Sequence, residues 1–294
     1  FYHNSFSVCS GNMKKTWHLI RGLINKGKSG KSIKSILVGT REVSNDVDIA
    51  NAFSEYFSNI ATQLDDNLPH IDKSPTDYIR VNTCKSFFLK PILPKDCASF
   101  ISALKNKAAS VKYIPVMIFK KVSKYLIKPI CYLINKSISQ CTFPNVLKQS
   151  HIVPIYKSGD KTDMSNYRPI SVLPMLSKIF ERHLSNNLLQ YFNSHNLLSC
   201  NQFGFRSGFS TMDAVLELTE NVYNSLDSKL HHFNVFVDFR KAFDTVNHSI
   251  LISKLEKYGV RGVPLRYLCS FMEDRYQCVR LGGEVSSGKV LNIG

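Results

Sequence analysis

One short apolar run restricts the fold of this chain more than any other feature of its sequence. Phe233-Asn-Val-Phe-Val237 is almost entirely apolar and β-prone, and Asp238 follows it directly. Such a run is typical of a strand that is covered on both faces. Because helical patterns lie on both sides of this run, the sequence predicts an α+β fold with helices beside a mixed or antiparallel sheet.

The helices are predicted from apolar residues that recur three and four positions apart. This pattern occurs from Asp48 to Gln63, after Pro115, from Leu176 to Phe192, after Ser210, from Leu251 to Tyr258 and from Leu265 to Met272. Ser210 has the chemistry of a helix cap, and Pro129 is expected to kink its helix. Residues 65–95 contain four prolines and are interpreted as a linker.

Two hairpins are also predicted. Residues 150–157 and 167–171 flank a Ser-Gly-Asp turn with a charged tip, and Pro154 and Pro169 confine both arms to edge positions or irregular pairing. The second hairpin comprises residues 277–281, the turn Gly282-Gly283 and the residues from Val285 onward.

Asp238 is the residue that points most directly to chemistry. A carboxylate at the end of a buried strand is costly unless a cation or hydrogen-bond donors compensate its charge. A metal ion is one such compensator. A helix cap or an ion pair with Arg240 would serve as well, and the residues alone do not decide between these roles.

The charge of the chain favours a phosphate-bearing partner. Its 38 Lys and Arg against 22 Asp and Glu give a formal net charge of +16. Residues 14–41 and 105–128 are basic and contain no acid, and aromatic residues recur among them: Trp17, Tyr113, Phe119 and Tyr125. Stacking groups on a cationic surface are typical of nucleic-acid binding, although solvated helix faces also explain such runs.

The cysteines and the hydropathy pattern narrow the classes of protein to which this chain could belong. None of the eight cysteines forms a Cys-x-x-Cys pair, and no Cys/His cluster has zinc-ligand spacing, so free thiols in a reducing compartment are expected. No apolar run approaches the ~20 residues of a transmembrane helix. The first residue, Phe1, and the strand-like ending at Gly294 indicate a piece of a longer protein.

Three motifs in order carry a resemblance to a known family. Asp238-x-x-x-Ala242-Phe243-Asp244, extended as Phe239-Arg-Lys-Ala-Phe-Asp-Thr-Val-Asn-His248, resembles the first palm motif of reverse transcriptases of non-LTR retrotransposons, in its jockey-like form. Asn166-Tyr-Arg-Pro-Ile-Ser171 and Asn201-Gln-Phe-Gly-Phe-Arg-Ser-Gly-Phe-Ser-Thr211 resemble the two fingers blocks. The resemblance covers roughly residues 142–294.

The resemblance implies a right-hand polymerase with fingers and an incomplete palm. Residues 1–95 would form a helical N-terminal extension and linker, 96–232 the fingers and 233–294 a partial palm. A Pro-Gln-Gly block and a Tyr-x-Asp-Asp box, both expected after Gly294, are absent from this sequence. We therefore expect no polymerisation by this chain alone. It would act inside the cell, in nucleus and cytoplasm, without a membrane partner.

The resemblance also implies two-metal nucleotidyl transfer. Asp238 would bridge two Mg²⁺ ions, and Phe239 would offer its backbone carbonyl as a further ligand. Asp238 is accordingly the predicted catalytic residue, and Asp238 and Phe239 are the predicted metal ligands. Ligand sets made only of oxygen suit Mg²⁺, in keeping with the absence of Cys/His clusters.

Further roles follow from the same resemblance. Lys157 and Arg168 would grip the triphosphate of an incoming deoxynucleoside triphosphate, and Phe243 would act as a steric gate against a ribose 2′-hydroxyl. Gln202, Gly204 and Arg206 would lie near the RNA template and the DNA primer or target. Each position also has a structural alternative, such as core packing for Phe243.

Several interpretations compete with this one. Residues 107–114 lack the glycine-containing turn that the family usually has, which favours a non-catalytic, basic RNA- or DNA-binding remnant of a retroelement. Gly27-Lys-Ser-Gly-Lys-Ser32 resembles a P-loop, but Asn25 replaces the required glycine and no apolar strand precedes it. A group II intron or telomerase enzyme shares the palm chemistry, whereas residues 243–248 favour a retrotransposon.

Overall fold

The computed structural model describes residues 16, 33–65, 72–79, 83–105, 114–239, 241–291 and 293. The interpretations placed on Trp17, on residues 27–32, on residues 106–113 and on Arg240 fall outside these residues. The helices are α1 (Asp46–Asp65), α2 (Pro94–Ser102), α3 (Val116–Ser139), α4 (Met175–Ser194), α5 (Thr211–Asp227), α6 (His248–Lys257) and α7 (Val263–Met272). The strands are β1 (Ile36–Val38), β2 (Arg41–Val43), β3 (Gln149–Tyr156), β4 (Tyr167–Val172), β5 (Arg275–Leu281), β6 (Glu284–Val285) and β7 (Lys289–Leu291).

A mixed sheet joins the middle of the chain to its end. Its strand order is β4-β3-β5-β6, with β7 also paired to β5. Strand β3 pairs antiparallel with β4 and parallel with β5, while β1 and β2 form a separate two-stranded sheet. The predicted α+β class and both predicted hairpins are therefore confirmed.

The two prolines of the first hairpin lie directly opposite each other, Pro154 against Pro169. Strand β4 is an edge strand, as its proline predicts. Strand β3 is internal, but its parallel ladder with β5 extends only from Gln149 to Ile152. Pro154 lies beyond the end of that ladder, where its missing N–H costs no hydrogen bond to β5.

The larger of two hydrophobic cores, here the helical core, is built by the faces of α2, α3, α4, α6 and α7. Its most deeply buried residues are Cys97, Ile101, Ile134, Phe143, Ile179, Val260, Tyr267 and Leu268. The periodicity that predicted α3, α4, α6 and α7 arises from this burial, whereas α2 was not predicted from the sequence. None of the described helices is both long and apolar enough to cross a bilayer.

The segment interpreted as a linker is in part tightly packed. Phe87 and Ile92 are buried in the helical core, and the amide of Phe87 donates to the carbonyl of Gly259 at 2.8 Å. Gly259 has a φ of +91°, and a Cβ there would collide with the carbonyl oxygen of Lys85. A glycine is thus required at position 259, where the segment that contains Lys85 and Phe87 crosses the end of α6.

The second core, here the sheet core, joins α1 to the sheet. Ile49, Phe53 and Phe57 of α1 pack with Ile152, Tyr167 and Val279 of the strands, as the aromatic stripe of this helix predicts. The Phe53 and Tyr167 rings meet edge to face at 5.0 Å. Both cores span the predicted boundaries at 95/96 and 232/233, which remain predictions.

The strand predicted at 233–237 is wrong in this structure. These residues form no strand, and the side chains of Phe233, Val235, Phe236 and Val237 are exposed. An apolar strand is stable only when neighbouring strands pair with its edges and other layers cover its faces. Both edges of β3 are already occupied, and no described strand pairs with this segment.

The cysteine prediction is confirmed for the described residues. Cys84, Cys97, Cys131, Cys141, Cys200 and Cys269 are free thiols. Burial raises the pKa of Cys97 to about 12, so this thiol stays protonated in the helical core.

Candidate functional site

Asp238, the predicted catalytic residue, is exposed on an extended segment without a strand. The expectation that its carboxylate terminates a buried strand is therefore wrong, because the strand itself does not form. Its predicted partner Arg240 lies outside the described residues. The catalytic and metal-binding roles of Asp238 and Phe239 stay predictions.

Lys157 and Arg168 project from the same face of the first hairpin. Arg168 lies opposite Ile155 in the antiparallel register, and Lys157 follows Ile155 by two positions. Side chains alternate along a strand, so the two cations are diagonal neighbours, typically about 7–8 Å apart. Both are exposed, which leaves them free to meet a phosphate from solvent.

The tip beyond these cations is braced by short hydrogen bonds. The Tyr156 hydroxyl donates to the carbonyl of Gly159 at 2.6 Å, and the Tyr167 hydroxyl donates to the carbonyl of Lys161 at 2.6 Å. Asn166 Nδ2 donates to the carbonyl of Asp160 at 2.9 Å. This bracing indicates that Lys157 and Arg168 move with the hairpin as a unit.

Phe243 lies at the mouth of a cavity of about 450 Å³, here the Phe243 cavity. The cavity is also lined by residues of β3, β4, β5 and β7, by Phe57 of α1, by Glu181 of α4 and by the end of α7. Its polar and charged lining residues are Ser150, Ser171, Glu181, Asp244, Arg275 and Gln277. The volume falls in the range of about 300–1,000 Å³ that is typical of small-molecule sites.

The charged groups of the cavity carry perturbed pKa values. Burial raises the pKa of Glu181, and Ser177 opposes this by donating a hydrogen bond to its carboxylate at 2.9 Å. Burial also raises the pKa of Asp244, against the attraction of Lys241, and lowers that of Arg275, against the attraction of Glu181. Such shifts cluster at functional sites but also occur in structural networks.

One buried polar atom in the cavity lacks a partner within the described residues. Gln277 is buried, and its Nε2 finds no hydrogen-bond acceptor there. A buried N–H₂ group without an acceptor is costly, so a polar ligand or a water molecule in the cavity would stabilise it.

The predicted nucleotide-binding residues do not converge. Pro169 and Ser171 line the Phe243 cavity, whereas Arg168, between Tyr167 and Pro169, projects from the opposite face of the hairpin. Phe243 therefore lies across the hairpin from Lys157 and Arg168.

Phe243 does meet the predicted template-binding turn. Its ring packs edge to face on Phe205 at 5.7 Å, and both rings are largely exposed, at 71% and 84%. Phe205 has a φ of +60°, which is uncommon for an aromatic residue and presents its ring outward. The motif contained Phe205, but nothing in the sequence indicated this contact.

The three predicted template residues share the same turn. Arg206 donates to the carbonyl of Ser199 at 2.8 Å and lies over the ring of Phe209 at 4.5 Å. Gln202 Nε2 donates to the carbonyl of Gly204 at 3.4 Å. The space above Gly204 is open to 4 Å, so a ligand can approach the backbone there.

A magnesium site is not assembled by the described part of the chain. No group of three His, Cys, Asp or Glu side chains among those residues could hold a metal ion. Asp238 and the carbonyl of Phe239 supply oxygen ligands of the right chemistry, but alone they do not enclose an ion.

Taken together, the mixed sheet with its basic hairpin, the helices beside it and the open turn next to Phe243 form an α+β arrangement consistent with a polymerase fold. Residues 155–294 match the family model described as reverse transcriptase (RNA-dependent DNA polymerase). Over these residues, just under half of its length, the chain is similar to reverse transcriptases, a family of nucleotidyltransferases that use divalent metal ions, a nucleic-acid template and nucleotide substrates.

Curated relatives agree with this assignment. The chain is 29% identical over 264 residues, 87% of its length, to a probable RNA-directed DNA polymerase from transposon BS of Drosophila melanogaster. It is 31% identical over 62% of its length to the corresponding probable polymerase of transposon X-element, and 32% identical over 55% to that of mobile element jockey, both from the same organism. The matches cover only 28%, 20% and 18% of these relatives.

Proposed function

We propose that this chain is part of an enzyme that copies retrotransposon RNA into DNA by nucleotidyl transfer. The observation that carries the proposal is the contact between Phe243, the predicted nucleotide gate, and Phe205 of the predicted template turn. These two rings come from separate motifs 38 positions apart and meet beside an open backbone at Gly204. An incoming nucleotide must lie beside its templating base, so the two predicted sites have to be neighbours.

In this proposal Asp238 and the carbonyl of Phe239 hold Mg²⁺, two ions being needed in the complete enzyme. The ions would supply charge neutralisation for the triphosphate and activation of the primer hydroxyl. The chain carries no Tyr-x-Asp-Asp sequence to complete the ligand set. We therefore predict that these residues alone synthesise no cDNA in a primer-extension assay, and cDNA formation would contradict this.

The hairpin cations would bind the triphosphate. The Arg168 guanidinium suits bidentate contact with phosphate oxygens, and the Lys157 ammonium adds a point charge on the same face. Because Phe243 now lies across the hairpin from both, the proposal requires the hairpin and the segment containing Phe243 to shift relative to each other when a nucleotide binds.

The steric-gate role is tested by nucleotide discrimination. Replacing Phe243 with Ala removes the ring that would exclude a 2′-hydroxyl, so the ratio of dUTP to UTP affinity should fall several-fold toward unity. Calorimetric titration with both nucleotides in Mg²⁺ measures that ratio. Phe233→Ala, which removes a similarly exposed ring, is the matched control. An unchanged ratio in Phe243→Ala would exclude the gate.

A second candidate function is a non-catalytic nucleic-acid-binding remnant of a retroelement. The exposure of Asp238 favours it, as does the lack, among the described residues, of any group of three side chains that could hold a metal ion. Such a remnant would bind RNA or DNA with steep salt dependence but would show no Mg²⁺-dependent nucleotide binding. On either candidate we propose an intracellular location, in nucleus and cytoplasm.

A further inference from the structure

The outward face of α3 carries lysine and tyrosine in alternation. Lys121, Tyr125, Lys128, Tyr132 and Lys136 are all exposed and follow one another at spacings of four, three, four and four residues. At 3.6 residues per turn these side chains fall within an arc of about 80° along about 22 Å of helix. We call this set the lysine–tyrosine face. The helix has five lysines and no acidic residue.

The two tyrosines of this face are held by lysines rather than by burial. Tyr125 and Tyr132 are 71% and 63% exposed. Lys124 Nζ lies 4.9 Å from the centroid of the Tyr125 ring, and Lys136 Nζ lies 5.7 Å from that of Tyr132. Each aromatic surface is thus presented to solvent beside a positive charge.

The opposite face of α3 is fixed in the protein. Ile130, Ile134 and Ile138 are buried in the helical core together with Phe119. Phe119 was predicted as a stacking group of the basic stretch, and its burial makes that prediction wrong. Lys120 points to α2, where its Nζ donates to the carbonyl of Ser102 at 2.7 Å. The helix therefore cannot rotate, and the lysine–tyrosine face stays toward solvent.

We propose that the lysine–tyrosine face binds a single-stranded nucleic acid, with phosphates on the lysines and bases stacked on the two tyrosines. A cationic track with interspersed aromatic rings is the arrangement that binds single strands without sequence preference. The proposal rests on the proposed function only in assuming a nucleic-acid partner. No residue of α3 lines the Phe243 cavity, so this is a separate surface.

The exposed tyrosine rings between the lysines favour nucleic acid over an anionic membrane. A helix that binds a bilayer inserts a continuous apolar face, whereas Ile130, Ile134 and Ile138 of α3 are enclosed by the helical core and only scattered apolar residues such as Ile118 and Leu133 are exposed. Lysines alone would suit either partner, but two exposed rings between them add a surface on which every base can stack. Neighbouring α2 carries one carboxylate, Asp96, beside Lys95, which leaves the local charge positive.

The lysines are tested with the whole chain and fluorescein-labelled oligo(U) and oligo(dT), which distinguish RNA from DNA. Replacing Lys121, Lys128 and Lys136 together with Gln should lower the slope of log K against log salt by about 2, from three phosphate contacts at about 0.7 each. The matched control replaces three exposed lysines elsewhere, Lys73, Lys178 and Lys257. Equal losses in both triple variants would overturn the proposal in favour of a general charge effect.

The tyrosines provide a test that charge does not affect. Tyr125→Ala with Tyr132→Ala should weaken oligonucleotide binding by about tenfold or more, whereas the double change to Phe should retain it because the rings remain. Fluorescence anisotropy measures oligonucleotide binding, and circular dichroism checks separately that each variant is folded. If the double Ala variant bound the oligonucleotides with wild-type affinity, the proposed stacking of bases on these tyrosines would be overturned.

Two further outcomes separate this surface from its alternatives. Sedimentation with phosphatidylserine vesicles measures membrane binding. If the triple Lys→Gln change reduced vesicle binding but left oligonucleotide binding unchanged, the proposal would be overturned in favour of a membrane. Asp238→Asn should leave oligonucleotide binding at this face unchanged. Failure of the lysine–tyrosine face and failure of the polymerase site are therefore distinguishable.

Discussion

His183 shows how a single buried side chain makes stability depend on pH. It is 5% exposed, and its Nε2 donates to the carbonyl of Lys90 at 2.7 Å. Burial lowers its pKa, against opposing effects from that hydrogen bond and from Asp96. The folded protein therefore favours the neutral ring, while the unfolded chain takes up a proton at about pH 6.5.

The stability that this residue contributes is present above about pH 6.5 and is lost as the pH falls toward the lowered pKa. The free energy of unfolding then falls by up to about 1.4 kcal/mol per pH unit for one proton. Urea unfolding of wild type between pH 7 and 5 should show this decline, and His183→Gln, which keeps a donor but does not titrate, should decline less. Parallel curves for the two proteins would show that His183 is not the group responsible.

At the level of residues, the sequence predicted the family to which the motifs belong better than it predicted the burial and contacts of each side chain. The motif around Asp238 led to the reverse transcriptase family, which residues 155–294 match. The burial of Asp238 was predicted wrongly because burial depends on strands elsewhere in the chain. The partners of Phe243 and Arg206 could not be read from spacing, since the contact of Phe243 with Phe205 depends on how two distant turns pack.

Among the elements, α5 is the helix whose cap was visible in the sequence. Ser210 and Asp213 form a capping box, in which the Ser210 amide donates to Asp213 Oδ2 at 2.6 Å. None of the residues of α5 is buried, so the cap contributes more to this helix than packing does.

Ser210→Ala should therefore loosen α5 locally without unfolding the protein. Amide hydrogen exchange across residues 211–227 should accelerate by about fivefold, the usual effect of losing a cap. The control is Ser228→Ala at the other end of the helix, where the hydroxyl donates only to the carbonyl of Asn224. Unchanged exchange in Ser210→Ala would show that other contacts hold α5.

Secondary-structure elements were predicted well where the sequence pattern that indicates them is local. Helical periodicity and turn chemistry lie within a few residues, so α1, α4 and the hairpin of β3 and β4 appear close to where the sequence placed them. The run at 233–237 has equally strong local β propensity. It fails because a strand depends on partners that no local pattern supplies.

In the molecule as a whole, α1 belongs to the same folded unit as the sheet. Phe53 is fully buried between Phe57 and Tyr167. This packing joins α1 to Tyr167, more than a hundred positions away, and the assignment of residues 1–95 to an N-terminal extension and linker remains a prediction. The aromatic stripe predicted that α1 packs on something but carried no information about its partner.

Phe53→Ala should destabilise the sheet together with the helix. Removing a buried phenylalanine costs about 3–5 kcal/mol, so the urea midpoint should fall markedly and α1 and the strands should unfold in one transition. Tyr78→Ala, at an exposed ring, should have little effect. Loss of α1 while the sheet stays folded would show instead that residues 46–65 form an independent extension.

In the proposed enzyme, Asp238 binds the divalent ions that a nucleotide brings to this domain. The most direct measurement is calorimetric titration of dTTP at increasing Mg²⁺ with wild type, Asp238→Asn and, as control, Asp227→Asn, which removes another exposed carboxylate. We predict Mg²⁺-dependent binding in wild type and in the control, weakened by at least about tenfold in Asp238→Asn, as for the loss of a group that supports a metal. An identical Mg²⁺ dependence in all three proteins would contradict the account.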